Sequence, residues 1–168
     1  MSKEVKLSKF IEGTIKNSVK EMCGKNPYIG FGLISVGIEF LGACMDGNSL
    51  HSKEKELSQT RFNNAIKELF PEPYHAYISE TSQTRLHDLY SNLRCGMMHV
   101  FIPAKEIEII QKAEIPDFSD HLTTNKIRGN KRLVLVLEEL LGHYLEACDK
   151  ILNKIEQGEI EDKVVLLT

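Results

Sequence analysis

The eighteen residues 28–45, YIGFGLISVGIEFLGACM, constrain the fold of this chain most strongly, because they carry a single charge, Glu39. Their length is at the lower limit of about 17–25 residues for a membrane-spanning helix. A carboxylate near the middle of a bilayer is costly, and the sequence has no second hydrophobic segment to pair with this one. We therefore expect a helix buried in a protein core, and no membrane partner.

The size and charge of the chain set the next limits. Its 168 residues include 21 Lys and Arg against 24 Asp and Glu, a formal net charge of −3. This length predicts a single domain over residues 1–168. A protein that binds nucleic acid through its overall charge is basic, so any such contact is expected to be local. The charged start, MSKEVKLSKF, lacks the apolar core of a secretory signal, and the four cysteines form no CxxC pair, which together predict the cytoplasm.

Hydrophobic periodicity predicts further helices. Apolar residues recur at intervals of three and four over residues 5–22, from 58 to Pro71, over 82–98 and over 137–156. A short helical turn is expected over residues 74–79.

One stretch has a different pattern. Residues 105–112 alternate Ile with Glu, as a strand does, and a turn over 127–132 leads into the β-rich residues 133–136. The tail, EDKVVLLT, is open to three interpretations: a frayed end, a strand or a partner contact. The predicted fold is mainly α, an antiparallel bundle of four to five helices with a small β excursion, about 105–136, before the last helix.

A short motif offers the lead on function. Signatures of P-loop, dinucleotide-binding, zinc-protease, esterase and EF-hand proteins are absent from the sequence. The segment 93–99, LRCGMMH, places four residues between Arg94 and His99 near the end of a predicted helix. It resembles the R-x4–6-H motif of the HEPN family (higher eukaryotes and prokaryotes nucleotide-binding domains). The resemblance covers the helical residues 5–103 and the last helix, although only the motif is specific. It implies a small helical bundle, often homodimeric, of a kind that in many members cleaves RNA without a metal.

Arg94 and His99 are residue types that RNA cleavage requires. Internal transesterification needs a base for the 2′-hydroxyl proton and an acid for the leaving oxygen, and an imidazole with a pKa near 6.5 can serve in either role. A planar guanidinium suits the negative charge that develops on the phosphoryl group. Because one histidine seldom does both tasks, two copies of the chain are expected to meet at these residues, as the resemblance also implies.

The spacing of the motif requires a bend. Five residues turn an ideal α-helix by about 500°, which leaves Arg94 and His99 about 140° apart around the axis. We expect the helix to end or bend near Gly96, so that both side chains reach one cleft. Nucleases of the family usually carry Asn, Asp or His directly after the arginine, whereas this chain has Cys95. In the alternative interpretation, Arg94 caps or pairs within the core and His99 is an ordinary residue at a helix end.

Glu39 is a supporting candidate. A carboxylate in so apolar a helix needs a partner, since an unpaired buried charge is very costly. Arg94 or Arg85 would provide one, which predicts that Glu39 lies near the fourth helix. In the catalytic interpretation Glu39 orients Arg94, and in the alternative the two form only an internal ion pair.

The remaining candidates are weaker. Cys95 and His99, four residues apart on a helix, could form a soft metal site with His87 or Cys44, but no second ligand pair is evident, and we predict neither metal nor cofactor. A basic cluster suits either phosphate contact at a hairpin tip or a solvated turn. Its members are Lys126, Arg128, Lys131 and Arg132. Tyr74 and Tyr90 could stack on bases, although packing is the commoner role.

The leading hypothesis is a cytoplasmic, HEPN-like homodimer that cleaves or binds RNA without a metal. The resemblance further suggests a toxin, antiphage or stress system, with an antitoxin-like protein as a second partner. The alternative hypothesis is a non-catalytic protein-interaction module that retains the helical bundle. Cleavage of RNA in EDTA distinguishes the two.

Overall fold

The structure, a computed structural model, is mainly α-helical and describes residues 3–52, 54, 56–79, 85–114, 121–127 and 130–167. The elements in chain order are β1 (Lys3–Lys6), α1 (a continuous run of Leu7–Phe10, Ile11–Lys16 and Asn17–Lys25), α2 (Pro27–Met45), α3 (Leu57–Leu69), a 3-10 helix (Glu72–Tyr77), α4 (Leu89 followed by Tyr90–Cys95 and Gly96–Val100), β2 (Ile107–Ile110), β3 (Thr124–Ile127), β4 (Asn130–Val136), α5 (Leu137–Glu156) and β5 (Val164–Leu167).

The apolar helix α2 lies at the centre of the fold, in contact with α1, α3, α4 and α5. It begins at Pro27, which suits the first helical position, and the Asn26 side chain accepts a hydrogen bond from the Ile29 N–H, 3.2 Å away. By length and composition α2 is also the one described helix that could cross a membrane. Ten of its 19 residues are buried against the rest of the protein. It therefore packs as the core helix that its sequence predicts.

Two glycines of α2 permit close approach of its neighbours. A Cβ added at Gly42 would lie 1.9 Å from the backbone oxygen of Arg61 in α3. A Cβ added at Gly37 would lie 2.3 Å from the hydroxyl oxygen of Tyr144 in α5. Real Cβ atoms do not come so near to other heavy atoms, so α3 and α5 pack against α2 at a distance that only glycine allows.

The strands form two small sheets. In the larger sheet β4 is central, with β2 parallel on one side, pairing Ile107 with Leu133, and β3 antiparallel on the other, pairing Thr124 with Leu133. This sheet confirms the predicted β excursion before the last helix. The second sheet joins the two ends of the described chain, because β1 and β5 pair antiparallel with Lys3 opposite Leu167.

The structure corrects the predicted bounds of the first helix and resolves the tail. Residues 5 and 6 belong to β1, so α1 begins at Leu7, and it extends beyond residue 22 to Lys25 with a π-helical turn at Ile11–Lys16. The tail forms β5. The backbone N–H and C=O groups of β1 and β5 pair with each other, although the two strands lie at opposite ends of the described chain. The local sequence carries no signal for such long-range pairing.

The fourth helix also begins later than predicted. Residues 80–84, where its predicted start lies, are outside the described residues, and Leu89 is the first helical residue. Asp88 precedes it, fully buried, and its carboxylate accepts hydrogen bonds from the N–H groups of Ser91, at 2.8 Å, and Ser79, at 2.7 Å. Asp88 therefore caps the helix at its amino end and holds it to the preceding segment. The last helix, by contrast, spans residues 137–156 as predicted.

We predict opposite effects on stability from two glycine-to-alanine substitutions. Gly42→Ala forces the backbones of α2 and α3 apart and should lower the free energy of unfolding by about 3 kcal/mol. The matched control is Gly142→Ala in α5, where a Cβ meets nothing within 4 Å. It should raise the free energy of unfolding by roughly 0.5–1 kcal/mol, because alanine favours helix. Urea unfolding of both variants provides the measurement, and equal effects would contradict the close approach at Gly42.

Candidate functional site

Arg94 lies in a π-helical turn of α4, Tyr90–Cys95, and faces α2. Its Nη2 lies 2.6 Å from Oε2 of Glu39, so the two charges form the ion pair that the apolar setting of Glu39 predicts. The side chains are 17% and 19% exposed. The contact is ionic, because Glu39 Oε2 receives no hydrogen bond, and the buried Nε of Arg94 donates none within the described residues. Arg85 instead donates to the carbonyl oxygen of Ala76.

The Tyr90 ring packs against the Arg94 side chain of this ion pair. The guanidinium carbon of Arg94 lies 5.5 Å from the centre of the Tyr90 ring, a cation–π arrangement. The ring also packs edge-on against Phe62 of α3, with 5.7 Å between ring centres. Burial raises the pKa of the Tyr90 hydroxyl, an effect that a hydrogen bond with Ser58 partly offsets. Tyr90 is thus a neutral packing residue that holds Arg94, as the packing interpretation predicts.

His99 lies on a different side of α4. The helix continues through Gly96, with φ −57° and ψ −52°, so the bend that Gly96 would allow does not occur, and the helix ends instead at Val100, directly after His99. The Met97 side chain reaches Gly32 of α2, and His99 follows it by two residues, a rotation of about 200°. Within one copy of the chain, Arg94 therefore faces α2 and His99 faces away from it.

Gly96 has a different role from the one expected. The chain folds back over α4, and the Ala104 N–H donates to the carbonyl oxygen of Asn92 at 2.8 Å. A Cβ at Gly96 would lie 2.6 Å from the backbone oxygen of Ile102. Gly96 is required because the returning segment crosses the helix there, and this crossing positions the residues that follow His99.

An exposed apolar surface surrounds His99. The imidazole is exposed and has no hydrogen-bond or ionic partner in the described part of the chain. The exposed apolar side chains next to it are Met98, Val100, Phe101 and Ile102. Phe101 ends the helix in the left-handed conformation, with φ 56°, which is uncommon for a residue other than glycine. Together these residues form what we call the His99 surface.

The predicted basic cluster is divided. Arg132 Nη1 lies 2.5 Å from Oε2 of Glu108 in the neighbouring strand, so its charge is paired within the sheet. Lys131 is exposed, and the backbone of Lys126 pairs with it across the hairpin. Arg128 lies outside the described residues. Lys131 is the one member of the cluster whose described side chain presents its charge to solvent.

No group of three or more His, Cys, Asp or Glu side chains among the described residues is arranged to hold a metal ion. Cys44, considered above as a partner for Cys95 and His99, is 1% exposed in the core of α2. Burial raises the pKa of its thiol to about 12. This setting favours a protonated core residue over a thiolate ligand.

Sequence reasoning missed one cluster of polar side chains. The Tyr74 hydroxyl is within hydrogen-bond distance of His121 Nε2, at 2.6 Å, and of His143 Nδ1, at 3.0 Å. The Val136 N–H donates to His121 Nδ1 at 3.0 Å. The three rings come from the 3-10 helix, the turn before β3 and α5, separated by 47 and 69 residues from Tyr74. No spacing rule links such distant residues, and only the fold brings them together.

Comparisons with protein-family models, with curated proteins and with solved structures gave no match.

We predict that Glu39 and Arg94 are energetically coupled. Glu39→Met or Arg94→Met alone leaves a partly buried charge unpaired and should lower the free energy of unfolding by about 2 kcal/mol, between the values for buried and exposed pairs. The double variant should lose less than the sum of the two by about 1–2 kcal/mol. Urea unfolding measures this cycle.

The control pair is Glu21 and Lys25, whose side chains are 63% and 71% exposed. Substitution of either by Met should change the free energy of unfolding by less than about 0.5 kcal/mol. Strictly additive effects of Glu39→Met and Arg94→Met would contradict the coupling.

Proposed function

We propose that this chain forms a HEPN-like homodimer that binds and cleaves RNA without a metal, with Arg94 and His99 in a cleft shared by two copies. The observation that carries the proposal is the exposed imidazole of His99, which has no partner among the described residues and is flanked in the chain by exposed apolar side chains. Exposed large apolar side chains grouped in this way are a common sign of a protein interface. An imidazole with no internal partner is available for proton transfer.

A second copy is needed because of the orientation of the two side chains. In one copy Arg94 faces α2 and His99 faces away, so the two do not meet. In a two-fold symmetric dimer the imidazoles and the guanidinium groups of both copies can lie at one shared cleft, where the two histidines supply one base and one acid. The His99 surface would be covered in such a dimer, which removes its apolar side chains from water.

The chemistry follows from those roles. One imidazole takes the proton of the ribose 2′-hydroxyl, and the 2′-oxygen attacks the adjacent phosphorus. The bond from phosphorus to the 5′-oxygen breaks, and the second imidazole protonates that oxygen, leaving a 2′,3′-cyclic phosphate and a 5′-hydroxyl. Arg94 stabilises the negative charge on the phosphoryl oxygens, and Glu39 holds the guanidinium in position. Lys131 contacts a neighbouring phosphate, and Lys126 and Arg128 are further candidates from the same stretch of sequence.

The non-catalytic interaction module is a second candidate, and one observation favours it. Glu39 already neutralises Arg94 within the fold, which is what a purely structural ion pair requires. Cys95 in place of the usual polar residue after the arginine points the same way. In this case the His99 surface binds a second copy or an antitoxin-like protein and no cleavage occurs.

The proposed location is the cytoplasm. Cys23, Cys44, Cys95 and Cys148 are all free thiols in the described structure. Unpaired cysteines are typical of a reducing compartment.

The first experiment incubates the protein with RNA in EDTA. The wild type should produce ends with 2′,3′-cyclic phosphate, and His99→Gln and Arg94→Lys should each lower the rate by at least about 100-fold, the lower limit for loss of an acid–base group. Arg94→Lys keeps the charge opposite Glu39, so the fold is retained. His51→Gln removes another exposed histidine and should leave the rate unchanged.

Mixing the wild type with His99→Gln tests the shared cleft. A mixed dimer carries one imidazole instead of two and should be inactive, so an equal mixture that has exchanged subunits should show about a quarter of the activity of the same total amount of wild type. About half of that activity, the value for copies that act independently, would contradict a cleft that needs both imidazoles. No cleavage by the wild type would favour the interaction module.

The second experiment measures the oligomeric state by light scattering. Val100→Glu introduces a charge into the His99 surface and should convert a dimer to a monomer, because an unpaired charge in an interface is costly. Leu86→Glu is the control, since Leu86 is 65% exposed and Val100 63% exposed. A wild-type monomer, or equal effects of the two substitutions, would contradict dimerisation through this surface.

A further inference from the structure

The hydrogen bonds around His121 define where each proton lies. The Val136 N–H is a donor, so His121 Nδ1 must be an acceptor and carries no proton. The proton of the neutral imidazole is then on Nε2, which donates to the Tyr74 oxygen. The Tyr74 O–H is left to donate to His143 Nδ1. One neutral tautomer of each histidine satisfies this chain of hydrogen bonds.

His121 joins three parts of the fold. It lies just before β3, so it belongs to the start of the β3–β4 hairpin. Tyr74, which is fully buried, belongs to the 3-10 helix of the helical body, and Val136 is the residue at which β4 becomes α5. The next residue, Leu122, also accepts a hydrogen bond from the Tyr77 hydroxyl at 2.8 Å. The hairpin is thus attached to the helical body through His121 and Leu122.

We infer that His121 is an acid-sensitive latch, which holds the start of the β3–β4 hairpin to the helical body when neutral and releases it when protonated. An imidazolium carries a proton on both nitrogens. Its Nδ1–H would face the Val136 N–H, so two donors would meet without an acceptor between them. Protonation therefore breaks the hydrogen bond to Val136 and drives the ring out of its site.

The charged groups around the latch do not reverse this effect. Glu139 in the first turn of α5 favours the imidazolium, but Lys112, in the segment after β2, forms an ion pair with Glu139 and opposes it. His143, on the same helix as Glu139, also lowers the pKa of His121. Burial is the largest cause, and together these effects lower the pKa of His121 to about 4. Burial raises the pKa of Tyr74, which keeps its hydroxyl protonated.

The direction of the pH dependence follows from this lowered pKa. In the released state His121 regains a pKa near 6.5, so protons bind the released state more tightly than the held state. Release therefore begins to increase as the pH falls below about 6.5 and levels off below about 4. Between pH 7 and pH 5 the released population should rise about 20-fold. This inference requires neither RNA nor a dimer, and it stands independently of the proposed function.

Amide hydrogen exchange of the full chain at pH 7 and pH 5 tests the latch. After correction for the intrinsic exchange rate, opening at the Val136 amide should rise about 20-fold and should be more frequent at both pH values than opening at the amide of Leu41 in α2, which reports unfolding of the whole protein. His121→Asn places a non-titrating acceptor where Nδ1 lies and should abolish the rise. His143→Asn keeps the acceptor for Tyr74 and should retain the rise.

Several results would overturn the inference. Equal opening frequencies at Val136 and Leu41 would mean that only the whole protein opens, and a rise at Val136 that persists in His121→Asn would assign it to another group. If His121→Asn does not fold, imidazole nitrogen NMR of the wild type decides. A neutral His121 with its proton on Nε2 at pH 7, which titrates well below pH 6, supports the latch. Titration near pH 6.5 overturns it.

Discussion

The fold depends on the burial of one apolar helix, α2, by all of the other long helices. A helix that is apolar on nearly every side is stable in water only if other elements cover it on every side. The neighbouring helices pack closely against α2 because positions 37 and 42 are glycine. A larger residue would collide with the Tyr144 side chain at position 37 and with the Arg61 backbone at position 42. The positions of α3 and α5, and through α5 the attachment of the sheet, follow from these contacts.

Glu39 brings a charge into this apolar environment, and its partner sets the orientation of α4. Since a partly buried carboxylate is costly without a cation, Arg94 is drawn to the α2-facing side of its helix. The same orientation turns His99 away from α2, because His99 follows the inward-facing Met97 by two residues. The exposure of His99 therefore accompanies the internal ion pair, and the proposed active site requires two copies of the chain.

Much of the helical part could be predicted from the sequence. The last helix was predicted at its observed bounds, because its apolar residues recur with a regular helical period and its ends are clear. The position of Glu39 near the fourth helix was also predictable, since a carboxylate in an apolar helix needs a cation and the two proposed partners, Arg94 and Arg85, both lie in the predicted fourth helix. The bend that Gly96 makes possible does not occur: glycine there serves the crossing of a returning segment, and a close approach by distant backbone has no signal in the local sequence.

The sequence by itself determined the helical character of the chain, the burial of α2 and the need of Glu39 for a cation, because these depend on hydrophobic period and on the cost of an unpaired charge. Only the tertiary structure decided that β1 pairs with β5 and that Arg94, and not His99, faces α2. It also decided that Tyr74, His121 and His143 are linked by hydrogen bonds. Contacts between residues far apart in the chain depend on how the elements pack, and packing is a property of the whole fold.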